Sequence, residues 1–302
     1  MADKSKDGPQ SLGPTSTRLR QIALVAKDLE KARHLLTTVI GREVIYEDPA
    51  VEQWGLKNIL VPIGGDIIEV VSPFLPTAPA ARHLKKLNAS AGGYMIIMQT
   101  HFPTALARLQ HIQTNNLAKP IFTQFTDEAD MVQYHPKGIP GGIMPELDSH
   151  RPDPEHPDPL GQRFSPWHAA GPKERYAAYR EGMRRAGNLR LVEVVLRLKD
   201  EDQDVKGATR KWEEIFGVRR GEKGDELEFT NARLRFCEGV EGRSEGLVEV
   251  SITVEGRGKR DEILARARME GLHVEGEVVE MLGVRWKFTM YGAKGQVENS
   301  KL

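Results

Sequence analysis

The chain has 302 residues, of which 39% are hydrophobic, and its 43 basic residues are balanced by 43 acidic ones. A chain of this length and hydrophobic content buries a sizeable core and divides into two domains more often than it forms one. Because the formal net charge is zero, no overall field attracts nucleic acid or an anionic membrane, and neither is an expected partner. The single cysteine, Cys237, excludes an internal disulfide and a thiolate zinc cluster, which favours a reducing compartment.

The first 17 residues are rich in Lys, Asp, Gly, Pro and Ser and predict a disordered arm over residues 1–17. They have neither the apolar run of a signal peptide nor the Arg-rich amphipathic pattern of a transit sequence. No apolar stretch of the chain approaches the roughly 18 to 20 residues that a membrane helix requires. We therefore expect a cytoplasmic protein.

A strand, a helix and three more strands are predicted after the arm. Residues 18–26 form a β-like run, and residues 29–40 have apolar side chains at helical spacing up to Gly41. Strands are predicted at residues 43–46, 55–63 and 67–72, with the last two joined by the turn signal Gly64-Gly65-Asp66.

The same order of elements returns three times. The second copy has strands at 93–100, 119–124, 130–135 and 143–147 and a helix at 103–114; the third has strands at 189–198, 226–230 and 232–237 and a helix ending at Phe216-Gly217; the fourth has strands at 246–254, 273–279 and 284–290 and a helix at 259–269. Repetition of one supersecondary unit predicts an α+β protein built from four βαβββ modules.

A segment rich in Pro, Asp and His separates the second and third modules. Residues 150–172 carry this composition and residues 173–186 are charged and helical, so residues 150–187 predict a surface linker between domains at 18–149 and 188–302. The clustered His150, His156 and His168 suggest metal binding, but a solvated linker accounts for the same composition and is the favoured interpretation.

The first module resembles the vicinal-oxygen-chelate superfamily, which includes glyoxalases, bleomycin-resistance proteins and extradiol dioxygenases. Residues 21–32 are similar to the opening strand and helix of that superfamily, Ile40-Gly41 to its helix end, and residues 69–73 to its metal-ligand strand. The glyoxalase-like group is suggested more narrowly by residues 54–58, 92–95 and 134–137.

This resemblance implies that modules pair into two glyoxalase-like domains, and that each paired sheet forms a cup for a divalent metal and a small-molecule substrate. The ligand positions that it implies are Gln21 and Glu69 in the first module and Met95 and Glu146 in the second. The usual first-strand histidine is absent from both modules. One Mn, Fe, Mg or Zn ion is the implied cofactor, and a metal-free site is the alternative.

Strand alternation gives a separate prediction, because alternate side chains of a strand share a face. Gln21, Asn58 and Glu69 should converge on the cup. Asn58 precedes Glu69 by the same spacing as His135 precedes Glu146, so these pairs are predicted to superpose. The predicted sets are the following: His135, Glu69 and Glu146 as catalytic residues; Asn58, Met95, Lys137 and Gln21 as substrate-binding residues; and Gln21, Glu69, His135 and Glu146 as metal ligands. A merely hydrated carboxylate is the alternative for Glu69, and for Glu146 a structural role is favoured because Pro145 disturbs its strand. An exposed turn histidine is the alternative for His135, and an exposed turn lysine is the favoured interpretation of Lys137.

Opposite charges occupy the corresponding positions of the C-terminal modules, which are Glu193, Arg235, Glu249 and either Arg285 or Lys287. Arginine at a ligand position repels a cation, so no metal is expected there. The charges are predicted to pair in the interior of a scaffold or homodimerisation domain, and a cationic pocket for an anionic ligand is the alternative.

The predicted function is that of an enzyme, an isomerase, lyase or oxygenase, acting on a small oxygenated metabolite in the N-terminal domain. A divalent metal or a His/Glu acid–base pocket would stabilise an enolate-like intermediate. The alternative is a non-catalytic protein that sequesters a small molecule, as resistance members of the superfamily do, and the missing first-strand histidines favour it.

Overall fold

The computed structural model describes residues 12–291, so most of the predicted arm at residues 1–17, together with residues 292–302, lies outside the described residues. The first half contains strands β1 (Thr17–Ala26), β2 (Leu56–Ile63), β3 (Asp66–Pro73), β4 (Ala91–His101), β5 (Pro120–Phe125), β6 (Ala129–Tyr134) and β7 (Met144–His150). Its helices are α1 (Leu29–Leu35), which continues as a π-helical turn (Leu36–Ile40), α2 (Pro79–Leu87) and α3 (Thr104–Thr114).

The second half begins after helix α4 (Tyr176–Arg185) and repeats the same order. Its strands are β8 (Leu189–Arg197), β9 (Arg219–Arg220), β10 (Glu226–Glu228), β11 (Arg233–Cys237), β12 (Gly246–Val254), β13 (Val274–Glu275), β14 (Val278–Met281) and β15 (Val284–Met290), and its helices are α5 (Val205–Phe216) and α6 (Arg257–Met269). The predicted α+β repeat of four modules is therefore confirmed.

Two details of the first two modules differ from the sequence prediction. The predicted strand at residues 43–46 is reduced to an isolated bridge from Tyr46 to Leu60. Helix α2 was not predicted, although proline at its start and Asn88 in the left-handed region at its end are helix signals. Helix α1 ends as predicted, because Gly41 adopts a positive φ of 73° that side-chain-bearing residues disfavour.

The modules pair into two sheets. The first sheet has the order β2-β3-β1-β4-β7-β6-β5, and the second β13-β14-β15-β12-β8-β11-β10-β9. In each sheet the modules meet through their opening strands, which run antiparallel: β1 with β4, and β8 with β12. The helix-covered faces of the two sheets contribute to one continuous apolar cluster.

The opposite face of the first sheet is a cup. The strands at its two edges, β2 and β5, curl towards each other. This is shown by Trp54, just before β2, which contacts Phe122 of β5 edge to face with ring centroids 5.5 Å apart. A second apolar cluster lies inside this cup and includes Ala23, Val25 and Ile97 of the sheet. The cup is therefore separated from the helix-covered core by the strands themselves.

Residues 151–188, which we call the strap, fill this cup, so the predicted surface linker is wrong for much of its length. Trp167 is 0% exposed, and it packs with Tyr179 and Met183 of the strap in the same cluster as the sheet residues. Proline-rich backbone cannot pair with a sheet, but side chains of β1 satisfy its carbonyl groups: Arg18 donates to the carbonyl oxygens of Gln162 and Arg163 at 3.1 and 3.0 Å.

Within residues 12–291, no helix combines the length and the apolar character needed to cross a membrane.

Candidate functional site

The strand register places three polar side chains, Gln21, Glu69 and Glu146, and the thioether of Met95 on the cup face. Ala23 of β1 pairs with Glu69 of β3, and Ile97 of β4 pairs with Glu146 of β7. Gln21 faces Ile97 across the β1–β4 pair, while Ala23 faces Met95. Gln21 and Met95 are thus two-fold equivalents, as are Glu69 and Glu146, and both of these predicted equivalences are confirmed by the register.

Glu69 is held by a chain of hydrogen bonds. Asn58 Nδ2 donates to Glu69 Oε1 at 2.7 Å and Gln21 Nε2 donates to Glu69 Oε2 at 2.9 Å. Trp167 Nε1 in turn donates to Gln21 Oε1 at 2.7 Å, and the Asp48 amide donates to Asn58 Oδ1 at 2.8 Å. The predicted convergence of Gln21, Asn58 and Glu69 is confirmed.

Burial raises the pKa of Glu69, and the two donated hydrogen bonds oppose this effect. A carboxylate oxygen has two lone pairs, so each oxygen of Glu69 keeps one after accepting its hydrogen bond. Glu69 is therefore oriented by its neighbours and still able to accept a proton.

Glu146 and Asp148 form a second acidic group two residues apart on β7. Burial raises the pKa of Glu146 to about 7. Burial, followed by the adjacent Glu146, raises the pKa of Asp148 well above its usual range. Among residues 12–291, no donor reaches either carboxylate oxygen of Asp148 at bonding geometry, although the residue is 0% exposed. The pair therefore retains a proton at pH values where an exposed pair would be ionised.

Two histidines complete this group. His168 Nε2 lies 3.6 Å from Asp148 Oδ2, and His168 Nδ1 lies 2.9 Å from His150 Nε2. The His150 ring stacks on Trp167 with centroids 4.9 Å apart. Burial, together with the positive charge of Arg20, lowers the pKa of His168 to about 4, and burial also lowers the pKa of His150. Both imidazoles are neutral near pH 7.

A cleft of about 80 Å³ leads to the two histidines, and its walls include Tyr179, Asp153 and Lys173. A water molecule needs roughly 10 to 15 Å³ of such volume, so the cleft holds several waters or a small chemical group. Lys173 Nζ pairs with Asp153 Oδ2 at 2.8 Å at its rim. The cleft reaches His150 and His168, whereas Asp148 and Glu146 lie behind them and do not line it.

His135 does not reach the cup, so its predicted superposition on Asn58 is wrong. Gln133 is the residue that pairs with Glu146, whereas Leu60 pairs with Glu69. The reason is a longer connection between β6 and β7, residues 135–143, where the first module has a two-residue glycine turn. His135 is exposed, and its Nδ1 accepts a hydrogen bond of 3.0 Å from the Lys137 amide in that turn.

Of the other two predicted substrate-binding residues, one lies inside the cup and one lies outside it. Met95 is buried in the cup as predicted, but its neighbours there are apolar. Lys137 is exposed in the β6–β7 connection, outside the cup.

Sequence reasoning missed Asp148 and assigned His150 and His168 to a solvated linker. A signal for two of them was present, because Glu146, Asp148 and His150 alternate along one strand and therefore share a face. His168 had no such signal, since its position depends on how the strap enters the cup.

The metal-ligand positions implied by the resemblance do not offer a free set of donors. Gln21 uses its oxygen for Trp167 and its amide for Glu69, and Met95 is a thioether. One ligand atom each from Glu146, Asp148 and His168 lies within 4.8 Å of the others, so this neighbouring group fits a cation better.

The C-terminal charges pair as predicted but not in an interior. Arg235 Nε lies 3.1 Å from Glu193 Oε2, and Arg285 Nη2 lies 3.6 Å from Glu249 Oε2. The arginine side chains are 49% and 56% exposed, so the predicted burial of these pairs is wrong. Strap residues fill the cup of the first sheet, whereas these side chains on the second sheet meet solvent.

Known proteins resemble this chain in sequence over part of its length and in structure over most of it. No model of a known protein family matches the sequence. The mitochondrial methylmalonyl-CoA epimerase of Bos taurus is 28% identical over 131 residues, 43% of this chain and 73% of that protein, and its Homo sapiens counterpart is 25% identical over the same length.

Among solved structures, a hypothetical protein from Staphylococcus aureus covers 91% of this chain and 100% of its own, with a TM-score of 0.56 and 11% identity. Methylmalonyl-CoA epimerase from Mycobacterium tuberculosis covers 46% of this chain and 91% of its own, with a TM-score of 0.39 and 18% identity. The match to the Staphylococcus aureus protein shows that the two-sheet fold of this chain is shared, over nearly its whole length, with a solved structure.

Proposed function

We propose that the N-terminal cup of this chain, which has the vicinal-oxygen-chelate fold in both halves, is an enzyme site. The reaction is proton transfer at a carbon beside a carbonyl group of a small oxygenated metabolite, the chemistry of an isomerase or lyase. The observation that carries the proposal is the pair of two-fold-related carboxyl groups, Glu69 and Glu146, buried in one apolar cup.

Glu69 is the proposed base. Its carboxylate takes the proton from the substrate carbon, and the electron pair of the broken C–H bond moves into the adjacent carbonyl to give an enolate. Asn58 and Gln21 fix the orientation of the carboxylate through their hydrogen bonds. A buried carboxylate with a raised pKa is a stronger base than an exposed one, which suits this role near neutral pH.

The Glu146–Asp148 pair is the proposed acid. The proton that the pair retains is donated towards the developing enolate oxygen, and it returns to the pair when Glu69 gives its proton back to carbon. When Glu69 returns the proton to the original face of the carbon, the substrate is restored. When the Glu146–Asp148 pair instead gives its proton to the opposite face of the carbon, the carbon is inverted, Glu69 keeps the proton that it removed, and the pair is left with one proton fewer. The epimerases among the curated relatives carry out a reaction of this second type, which supports the proposal.

Access of a substrate to Glu69 and Glu146 requires movement of the strap, because Trp167 fills the cup and neither carboxyl group lines the cleft. Ligand pockets commonly enclose roughly 300 to 1,000 Å³, and the cleft of about 80 Å³ is well below that range.

We place the reaction in the cytoplasm as part of the proposal, on the ground that the lone Cys237 is a free thiol, as a reducing compartment allows.

The test is exchange of substrate hydrogen with solvent. The protein is incubated in D₂O with methylmalonyl-CoA and with a panel of small 2-oxo and 2-hydroxy acids, and loss of the C–H signal is followed by proton NMR. We expect exchange in at least one compound, reduced about 10²- to 10⁴-fold by Glu69→Gln and by Glu146→Gln. Glu193→Gln, on the second sheet, is the control and should leave the rate unchanged.

Exchange that persists in both glutamine variants would assign the chemistry to other residues.

The second candidate function is sequestration of a small molecule without turnover. It is favoured by one observation, that Trp167 of the strap occupies the cup and hydrogen-bonds Gln21. Tight binding of a panel compound with no exchange would support this candidate instead.

A further inference from the structure

We propose that Glu146, Asp148 and His168 bind one divalent cation, at a position displaced from the one that the superfamily resemblance implies. Two ligands come from β7 and the third from the strap. The site therefore exists only when the strap lies in the cup, and a bound cation joins the strap to the sheet.

The first support is the environment of Asp148. Its side chain is fully buried, and among the described residues its polar neighbours are the Glu146 carboxyl and the Val132 amide, neither of which donates at full hydrogen-bond geometry. In the absence of a cation, a proton shared with Glu146 is what neutralises Asp148, and burial of a carboxyl pair with so few partners is costly. A cation beside Asp148 would satisfy both oxygens at once.

The second support is the spacing of the ligand atoms. His168 Nε2 and Asp148 Oδ2 are 3.6 Å apart, which is too long for a hydrogen bond. Ligand atoms that each lie 2.0 to 2.2 Å from one metal ion are separated from each other by roughly 3.0 to 3.6 Å. With Glu146 included, one ligand atom from each of the three residues lies within 4.8 Å of the other two. Small side-chain rotations therefore bring all three into coordination.

The third support is the orientation of His168. Its Nδ1 lies 2.9 Å from His150 Nε2, so the tautomer in which Nδ1–H donates to His150 leaves the Nε2 lone pair directed at Asp148. A metal-binding histidine commonly uses its other ring nitrogen in this way, which fixes the ring. His150 is itself held by stacking on Trp167.

The chemistry of the donors narrows the choice of ion. Two carboxylates and one imidazole suit Mn²⁺, Fe²⁺ or Zn²⁺ better than a soft ion that requires thiolates. The cleft beside His168 has room for several waters, which would complete an open coordination sphere.

This site rests on the proposed function only for its chemical role. A bound cation would replace the proton shared by Glu146 and Asp148 and stabilise the same developing charge on the enolate oxygen. Glu69 keeps its role as base, because its contacts are with Asn58 and Gln21. The existence of the site is measured without any substrate.

The experiment uses the full chain, treated with EDTA and dialysed, then titrated with Mn²⁺ and separately with Zn²⁺ by isothermal titration calorimetry. We expect one ion per chain, and at least a tenfold loss of affinity in both Asp148→Asn and His168→Gln. Asp153→Asn and His156→Gln alter a His–Asp pair on the same strap, 3.1 Å apart, and are the matched controls that should keep wild-type affinity.

Unfolding midpoints, measured with and without the ion, show whether each variant folds. The ion should raise the midpoint of the wild type and of both controls, and should leave the two ligand variants unchanged. Absence of stoichiometric binding to the wild type would overturn the proposal, and so would unchanged affinity in both ligand variants. Hydrogen exchange without cation binding would overturn the cation site alone; cation binding without exchange would overturn the proposed function alone.

Discussion

Trp167 Nε1 donates a hydrogen bond of 2.7 Å to Gln21 Oε1, which joins the strap to the first strand across 146 positions of sequence. The bond continues to Glu69 through Gln21 Nε2. The state of the strap and the orientation of the proposed base are therefore coupled. Movement of Trp167 would release Gln21 and leave Glu69 with one hydrogen bond fewer to hold it.

Replacing Trp167 tests how much the strap contributes to stability. Trp167→Ala removes a side chain that is fully buried in the cup, and we expect the free energy of unfolding to fall by about 3 to 5 kcal/mol, measured by urea denaturation. Phe74→Ala is the control, since that ring is exposed and should cost far less. A loss below about 1 kcal/mol for Trp167→Ala would mean that the strap does not fill the cup in solution.

Much of the sheet could be predicted from the sequence, because the repeat order and the strand alternation are local signals. Alternation placed Gln21, Asn58 and Glu69 on one face, and hydrogen bonds join them. His135 was misplaced because an equal spacing along the chain does not reveal that the β6–β7 connection is longer than the glycine turn of the first module.

The strap could not be predicted for a different reason. Proline and aspartate favour solvated loops, and only the empty cup of the tertiary structure makes burial of Trp167 favourable. The contribution of His168 depends on that burial and has no local signal. The exposure of Arg235 and Arg285 is likewise a tertiary property, since pairing can be inferred from charge but solvent access cannot.

Proteolysis should report the packing of the strap directly. Trypsin cleaves after arginine, and the side chain of Arg163 is fixed in the packed strap because its Nη2 donates to the carbonyl oxygens of Gly187 and Leu189 at 2.8 and 2.9 Å. Arg243, by contrast, is exposed in a turn. We expect cleavage after Arg243 to precede cleavage after Arg163, as followed by mass spectrometry of timed digests. Trp167→Ala should accelerate cleavage after Arg163 by a factor of ten or more, because opening of the strap then disrupts less packing.

Early cleavage after Arg163 in the wild type would contradict the packed strap and restore the surface linker that the sequence suggests.

Glu69 should make stability depend on pH in a defined direction. Burial raises its pKa in the folded state above the ordinary value of 4.5. The folded state therefore binds the proton more tightly, and this contribution is fully present below pH 4.5 and is lost as pH rises through the raised pKa. Relative to Glu69→Gln, the free energy of unfolding of the wild type should decrease as pH rises from 4.5 towards neutrality, measured by urea denaturation at each pH.

A difference between Glu69→Gln and the wild type that stays constant from acid to neutral pH would show that Glu69 ionises in the cup as freely as in the unfolded chain.

Two arginine substitutions compare ion pairs of the same type in opposite environments. Arg18 pairs with Asp66 at 2.8 Å and its side chain is 5% exposed, whereas the side chain of Arg235, paired with Glu193, is 49% exposed. Arg18→Met leaves Asp66 buried without its cation and also frees two carbonyl groups of the strap, so we expect a loss of about 3 to 5 kcal/mol in the free energy of unfolding. Arg235→Met should cost about 0 to 1 kcal/mol, because water replaces the lost partner. Both values are measured by urea denaturation at equal ionic strength, and the Arg235 effect should shrink further in high salt. Similar losses in the two variants would mean that the face of the second sheet is covered in solution, by a second copy of the chain or by another partner, and that its charges are buried there after all.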